Sequence, residues 1–293
     1  MESEIELRDQ ILIGPLRRSV NNARNVKGSI HDDATASKLG FRGGTVAGSI
    51  HLELFPPLLL RAFGKRWFER GTMSMYFLNA TTDREAVRAF IKQPPAGVAD
   101  AQVDAWVERD DGMRVGEGTV SVGTPSEPSA LMRRPLDRFD SGQMRILGSV
   151  KVGDEFPACE VSVPAAAAAE RMKVITEPLD WYVGASPWGG AIVTPAAMVQ
   201  LLYAKLIQGW RNRLGTAVGL FGAIELRNVN GPVFVDQTYR ATGHVIAVGQ
   251  SPKTEYMWFD SALDDSGSKR IAEMRMLLRF MKASSPLYQA AAS

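Results

Sequence analysis

Three histidines occur in the 293-residue sequence, and His31, in "SIHDDATASKLGF", is followed at once by Asp32 and Asp33. An imidazole titrates near neutral pH and is well suited to passing a proton. Asp33, two residues on, projects to the same side of an extended chain and there would orient the ring. The other reading of the two aspartates is structural: they cap a short helix, "ATASKLG", that Gly40 ends. Downstream, "GGTVAGSIHLELF" reads as a helix beginning near Gly48. A backbone N–H at a helix start lacks an intrahelical partner and suits developing negative charge, which makes Gly48 a candidate oxyanion stabiliser. Ser49 offers a hydroxyl either to a substrate carbonyl or to the helix cap. His51 is read as a substrate contact or as a core histidine bonded to a carbonyl. Trp181, Tyr182 and Trp188 crowd the stretch "LDWYVGASPWGG" and form either a wall of an apolar pocket or part of the core. His244, in "YRATGHVIAVG", has no acidic or nucleophilic company and reads as a strand residue.

The elements that must hold these residues come twice. "GGTVAGSIHLELF" at Gly43 is matched by "GGAIVTPAAMVQLL" at Gly189; the strand–turn–strand around Asn79 is matched around Asn228; Glu117 is matched by Glu273. The separation of matched positions only grows along the chain, as a duplicated domain with small insertions would give. Each copy reads as a leading strand, an irregular stretch, one long apolar helix, then strands joined by tight turns, an α+β layout. The first helix spans "SIHLELFPPLLLRAFG", bent or restarted by Pro56 and Pro57 and closed by Gly64. The second has Thr194 as N-cap and Pro195 at the first helical position. The polar stretch between the copies reads as a linker, giving an N-terminal domain over residues 1–125, a linker over 126–144 and a C-terminal domain over 145–293.

Bulk composition narrows the function classes. Lysine and arginine total 34 against 32 aspartate and glutamate, and the basic residues are scattered, so nucleic acid is not an expected partner. The run "RAFGKRWFER" is either a solvated helix end or a contact for the phosphates of coenzyme A. One cysteine, Cys159, excludes an internal disulfide, and no Cys/His cluster has metal-site spacing, so neither a metal nor a cofactor is expected. The acidic start "MESEIELRDQ" and the interrupted apolar stretch near Pro195 point to a soluble, cytoplasmic protein that does not enter a membrane.

Taken together, His31, Asp33, Gly40-Phe41 and "GGTVAGS" leading into a helix resemble the MaoC-like hydratases and dehydratases. That family carries a run Asp-x-Asn-Pro-x-His-x-Asp, then Gly-Phe, then a helix start Ile-x-His-Gly-Met. The resemblance implies a double hot-dog fold, two antiparallel sheets each wrapped around a long central helix. It also implies a lyase that hydrates or dehydrates a bond next to a carbonyl, with the substrate small and apolar and a coenzyme A thioester as one form. In that reading His31 is the base, Asp33 its orienter and the Gly48 N–H the charge stabiliser, with Ser49, His51, Trp181, Tyr182 and Trp188 binding substrate. The match is incomplete: Val26 stands where the family has its carboxylate, Gly28 and Ser29 replace Asn-Pro, and Ala47 replaces the helix-entry histidine. Two alternatives therefore stay open, a cyclase or isomerase on a free small molecule, and a non-catalytic binding or scaffold protein. A homodimer is one expected assembly.

Overall fold

The computed structural model describes residues 5–136, 143–184 and 186–289. The linker expected over 126–144 therefore falls partly outside the described residues. In the first half three short strands, β1 (Glu6–Arg8), β2 (Ile11–Ile13) and β3 (Arg17–Arg18), lead to a six-residue helix α1 (Asp33–Lys38). After it come α2 (Gly48–His51), a 3-10 turn (Leu52–Leu54), α3 (Pro56–Phe63) and α4 (Arg66–Arg70). Four strands then follow: β4 (Gly71–Phe77), β5 (Ala86–Lys92), β6 (Gln102–Arg109) and β7 (Arg114–Val122). The second half opens with β8 (Cys159–Val161) and α5 (Ala165–Met172), continues through α6 (Pro195–Gly209), and ends in β9 (Gly219–Asn228), β10 (Tyr239–Gln250), β11 (Thr254–Asp264), β12 (Arg270–Met281) and α7 (Pro286–Gln289).

The strands are arranged β5-β6-β7-β4 in the first half and, mirrored, β9-β12-β11-β10 in the second. In both, the strand after the helix lies beside the last strand, so the topology repeats. The expected two sheets are one: β4 pairs antiparallel with β9, from Thr72 opposite Arg227 to Tyr76 opposite Ala223. The result is a 12-stranded sheet whose middle is the junction of the halves.

Proline chemistry decides the difference between the two helices. Pro195 occupies the first helical position, where its missing N–H costs nothing, and the Thr194 hydroxyl accepts from the Ala197 N–H. The chain then stays helical for 15 residues. In the first half Pro56 and Pro57 cannot donate to the preceding turn, so α2 tightens into the 3-10 turn and α3 restarts at Pro56. Gly64, with φ 63°, ends α3 by donating to the Leu60 carbonyl.

The helices bury Leu52, Phe55, Leu58 and Leu59 from one half and Val199, Leu202 and Leu206 from the other against one face of the sheet. That face supplies Met73, Met75, Ile91, Val107, Val120, Ile224, Met257 and Phe259 in a single core. A smaller apolar cluster lies on the other face, where Leu131 covers Ala223, Trp258 and Leu277. The chain leaving β7 is held there: the Leu131 N–H donates to Ser74 and the Ala130 N–H to Thr119. The second half is tied in by Glu255, fully buried, whose carboxylate accepts from the backbone N–H groups of Arg145, Ile146 and Leu147 and from the Tyr288 hydroxyl. No helix among the described residues is long and apolar enough to cross a membrane.

Candidate active site

His31 is fixed by backbone contacts on both sides. The segment around Thr45 runs back alongside it, with the Thr45 N–H donating to the Ile30 carbonyl and Asn21 donating its side-chain amide to the His31 carbonyl. Gly44 allows this close approach, since a Cβ there would lie 2.3 Å from the His31 carbonyl oxygen. The ring then places Nδ1 2.7 Å from the Thr45 carbonyl. A carbonyl only accepts, so Nδ1 carries the proton and Nε2 keeps its lone pair.

Asp33 does not perform the expected orientation. Its carboxylate accepts from the Gly44 N–H at 2.7 Å, bracing the turn that lies over His31. Asp32 caps α1, accepting from the Thr35 N–H and hydroxyl and from Lys27. These contacts, led by the Thr35 hydroxyl, hold its carboxyl below the usual range. Gly40, at φ 83°, and the Phe41 N–H bonded back to Ala36 end the helix. Val26 is 56% exposed and lies outside the cavity that His31 lines, where Asn22 and Ala23 stand instead.

That cavity has a volume of about 500 Å³ and is formed between the halves. His31, Gly48 and Ser49 line it from the first half, and Gln200 and Tyr203 of α6 and Phe221 of β9 from the second. Gly48 begins α2 behind Ala47, which supplies no side-chain cap, and no hydrogen bond from the Gly48 N–H is found among the described residues. The ring of Phe77 occupies the space a Gly48 Cβ would need, with contacts down to 2.7 Å. Ser49 is inside the helix and not at its cap. Among the described residues no carboxylate lines this cavity; its other polar groups include the hydroxyls of Ser49, Thr81 and Tyr203, the imidazole of His51 and the guanidinium groups of Arg171 and Arg279.

His51 is 3% exposed, its Nε2 shares a 2.9 Å hydrogen bond with the Thr81 hydroxyl, and burial pushes its pKa down to about 4. It lines the same cavity as His31 and packs there against Thr81. The three aromatics are displaced from their expected wall. Trp181 and Trp188 pack edge-on to one another and against Phe68, and the Trp188 indole donates to Glu69, stitching the halves together. Tyr182 lines a different cavity, beside α6. His244 is exposed on β10.

The second half has a helix entrance of its own, and it is filled. Glu53, 1% exposed, reaches across from the first half and accepts from the Thr194 hydroxyl at 2.9 Å and from the Ala196 N–H at 3.0 Å. Arg171 lies 3.6 Å from the same carboxylate, and burial drives the Glu53 pKa upward against that attraction. Gln200, at the corresponding place on α6, instead lines the His31 cavity.

No protein-family model matches the sequence, and no curated protein matches it. Solved structures do. A Chloroflexus aurantiacus structure described as a MaoC domain protein dehydratase is similar over 93% of this chain and 95% of its own, at 11% identity and a TM-score of 0.63. A conserved protein from Mycobacterium tuberculosis with a double hotdog fold is similar over 91% of this chain and 94% of its own, at 14% identity and a TM-score of 0.57. The chain has a double hot-dog fold. The dehydratase domain of RzxB from Pseudomonas fluorescens is similar over 94% of this chain and 96% of its own, at 14% identity and a TM-score of 0.50. In double hot-dog terms, the two helix entrances differ: the one at Gly48 opens on a cavity with His31, and the one at Thr194 is closed by Glu53.

Proposed function

We propose that the protein is an enzyme of the hydratase/dehydratase type that acts next to a carbonyl group in an apolar substrate. The observation that carries this reading is the pairing, in one cavity, of a histidine held through Nδ1 and a helix-start N–H, with no partner for its Nε2 or for that N–H among the described residues. The likeness to structures described as dehydratases supports it. His31 is the base. The carbonyl oxygen sits against the Gly48 N–H, which stabilises the enolate as charge develops, and Ser49 is a second donor at the same place. In hydration, water adds to the β-carbon while His31 Nε2 takes its proton, and the imidazolium returns a proton to the α-carbon. A coenzyme A thioester is one carrier of such a carbonyl, and a free acid derivative or ketone is another. The enzyme works as residues 1–125 and 145–293, two hot-dog units joined by 126–144, in the reducing environment of the cytoplasm.

A second reading is favoured by a cavity lining that holds no carboxylate among the described residues. Shifting a double bond needs one base that removes a proton and returns it at another carbon, a task a lone imidazole can perform. Both readings require removal or delivery of a proton at the α-carbon. They are tested together by incubating the protein in D2O with crotonyl-coenzyme A and with 3-cyclohexenone, following the α-protons and any hydration product by NMR. His31→Ala should lower exchange or turnover by about 100-fold or more, with an unchanged melting temperature. Exchange that survives this substitution would remove His31 from the chemistry.

A further inference from the structure

A second cavity, of about 330 Å³, lies between α5 and α6. Ala167 and Ala168 of α5 face Ala197, Leu201 and Ala204 of α6 across it. Helix α5 is five successive alanines followed by Glu-Arg-Met and buries none of its residues, so it stands off from α6 where larger side chains would close the gap. An apolar gap of this kind leaves its lining short of contact partners.

The polar end of the cavity is equally unfinished. Tyr182 lines it, is 2% exposed, and has a hydroxyl with no hydrogen-bond partner among the described residues. Arg171 also lines it, and its buried Nε–H has none either. Leaving a buried donor unpaired is costly. Both groups can donate, and each calls for an oxygen acceptor; Glu53 Oε2, on the carboxylate next to Arg171, is likewise buried without a partner among the described residues. The charge of Arg171 is already met by Glu53, the N-terminal N–H groups of α6 are taken by Glu53 and Thr194, and Lys205, which also lines the cavity, donates to the Glu160 carbonyl, so the acceptor at the Tyr182 end need carry no charge.

We infer that the cavity between α5 and α6 binds a small molecule with an apolar body and one neutral carbonyl end, its oxygen accepting from Tyr182 and Arg171. The cavity adjoins the one that His31 lines, with Arg171 and Gln200 bordering both, but His31 itself does not line it. The inference does not depend on the role of His31.

Three probes of similar shape test it by titration calorimetry on the full chain: acetophenone, toluene, which lacks the acceptor, and benzoate, which adds a charge. Acetophenone should bind at one site and more tightly than either of the others. Tyr182→Phe should weaken it by about tenfold, the scale of one lost hydrogen bond. Ala168→Phe, on the exposed helix, should fill the cavity and abolish binding with the circular-dichroism spectrum unchanged. His31→Ala should leave the affinity within about twofold, as expected of a residue outside the cavity lining. Toluene binding as tightly as acetophenone, benzoate binding more tightly, no saturable acetophenone binding, or full affinity in Ala168→Phe would each overturn the proposal. Should Tyr182→Phe fail to fold, the Ala168→Phe and probe comparisons decide.

Discussion

The tautomer of His31 is set by a main-chain carbonyl, which explains why side-chain types alone point to this histidine but not to what holds its ring. Histidine beside two aspartates points to an Asp–His pair, yet Asp33 spends its carboxylate on the Gly44 N–H and the Thr45 carbonyl takes the ring. A backbone acceptor has no signature in sequence. Gly48 is legible because a helix-start N–H is available whatever the side chain. Gln200, Tyr203 and Phe221 are not, since only the pairing of distant halves brings them to His31. His51 carries a residue-scale prediction. Its pKa falls from 6.5 to about 4 on folding, because burial disfavours the charged ring. The unfolded chain takes up this proton first as pH falls, so the associated stability is complete above about pH 6.5 and is lost on approaching pH 4. The loss is on the order of 3 kcal/mol. His51→Gln, which keeps a partner for Thr81, should show a smaller drop than the wild type in urea midpoint between pH 7 and pH 4.5. Equal drops would mean the buried ring is protonated in the native state.

At the scale of elements, the two helices show how one sequence pattern yields two outcomes. Prolines at the first helical position of α6 and at the restart of α3 are both readable from sequence, and both fall where proline geometry requires. The filling of the α6 entrance by Glu53 is not readable, because nothing local to Thr194 announces a carboxylate supplied from the other half. This contact predicts an asymmetric mutational response. Glu53→Ala strands Arg171 without its counter-charge and frees the Thr194 hydroxyl and Ala196 N–H, so it should cost about 3 to 5 kcal/mol in denaturant unfolding. Replacing both charges, as Glu53→Leu with Arg171→Met, should recover most of that loss, because two desolvation penalties disappear along with the attraction. A double variant as unstable as Glu53→Ala would show that the hydrogen bonds to α6 dominate.

For the molecule as a whole, the repeat along the chain foretells the repeated strand order, but not the union of the sheets. Alternation of apolar residues says which face of a strand is buried and nothing of what lies along its edge. The β4–β9 junction covers two edges that would otherwise be open. Residues 1–125 or 145–293 produced alone should self-associate through these edges, and the two produced together should return a heterodimer of native size on gel filtration. Two stable monomeric halves would refute the dependence.

The closed entrance at Thr194 also has a meaning in the history of such a chain. Were the halves identical subunits, a codon change that placed the closing carboxylate at position 53 would close both entrances at once. Joined in one gene, the copies can mutate independently: one keeps its opening while the other turns the same architectural place into a clamp, and the space beside it is released for a different use.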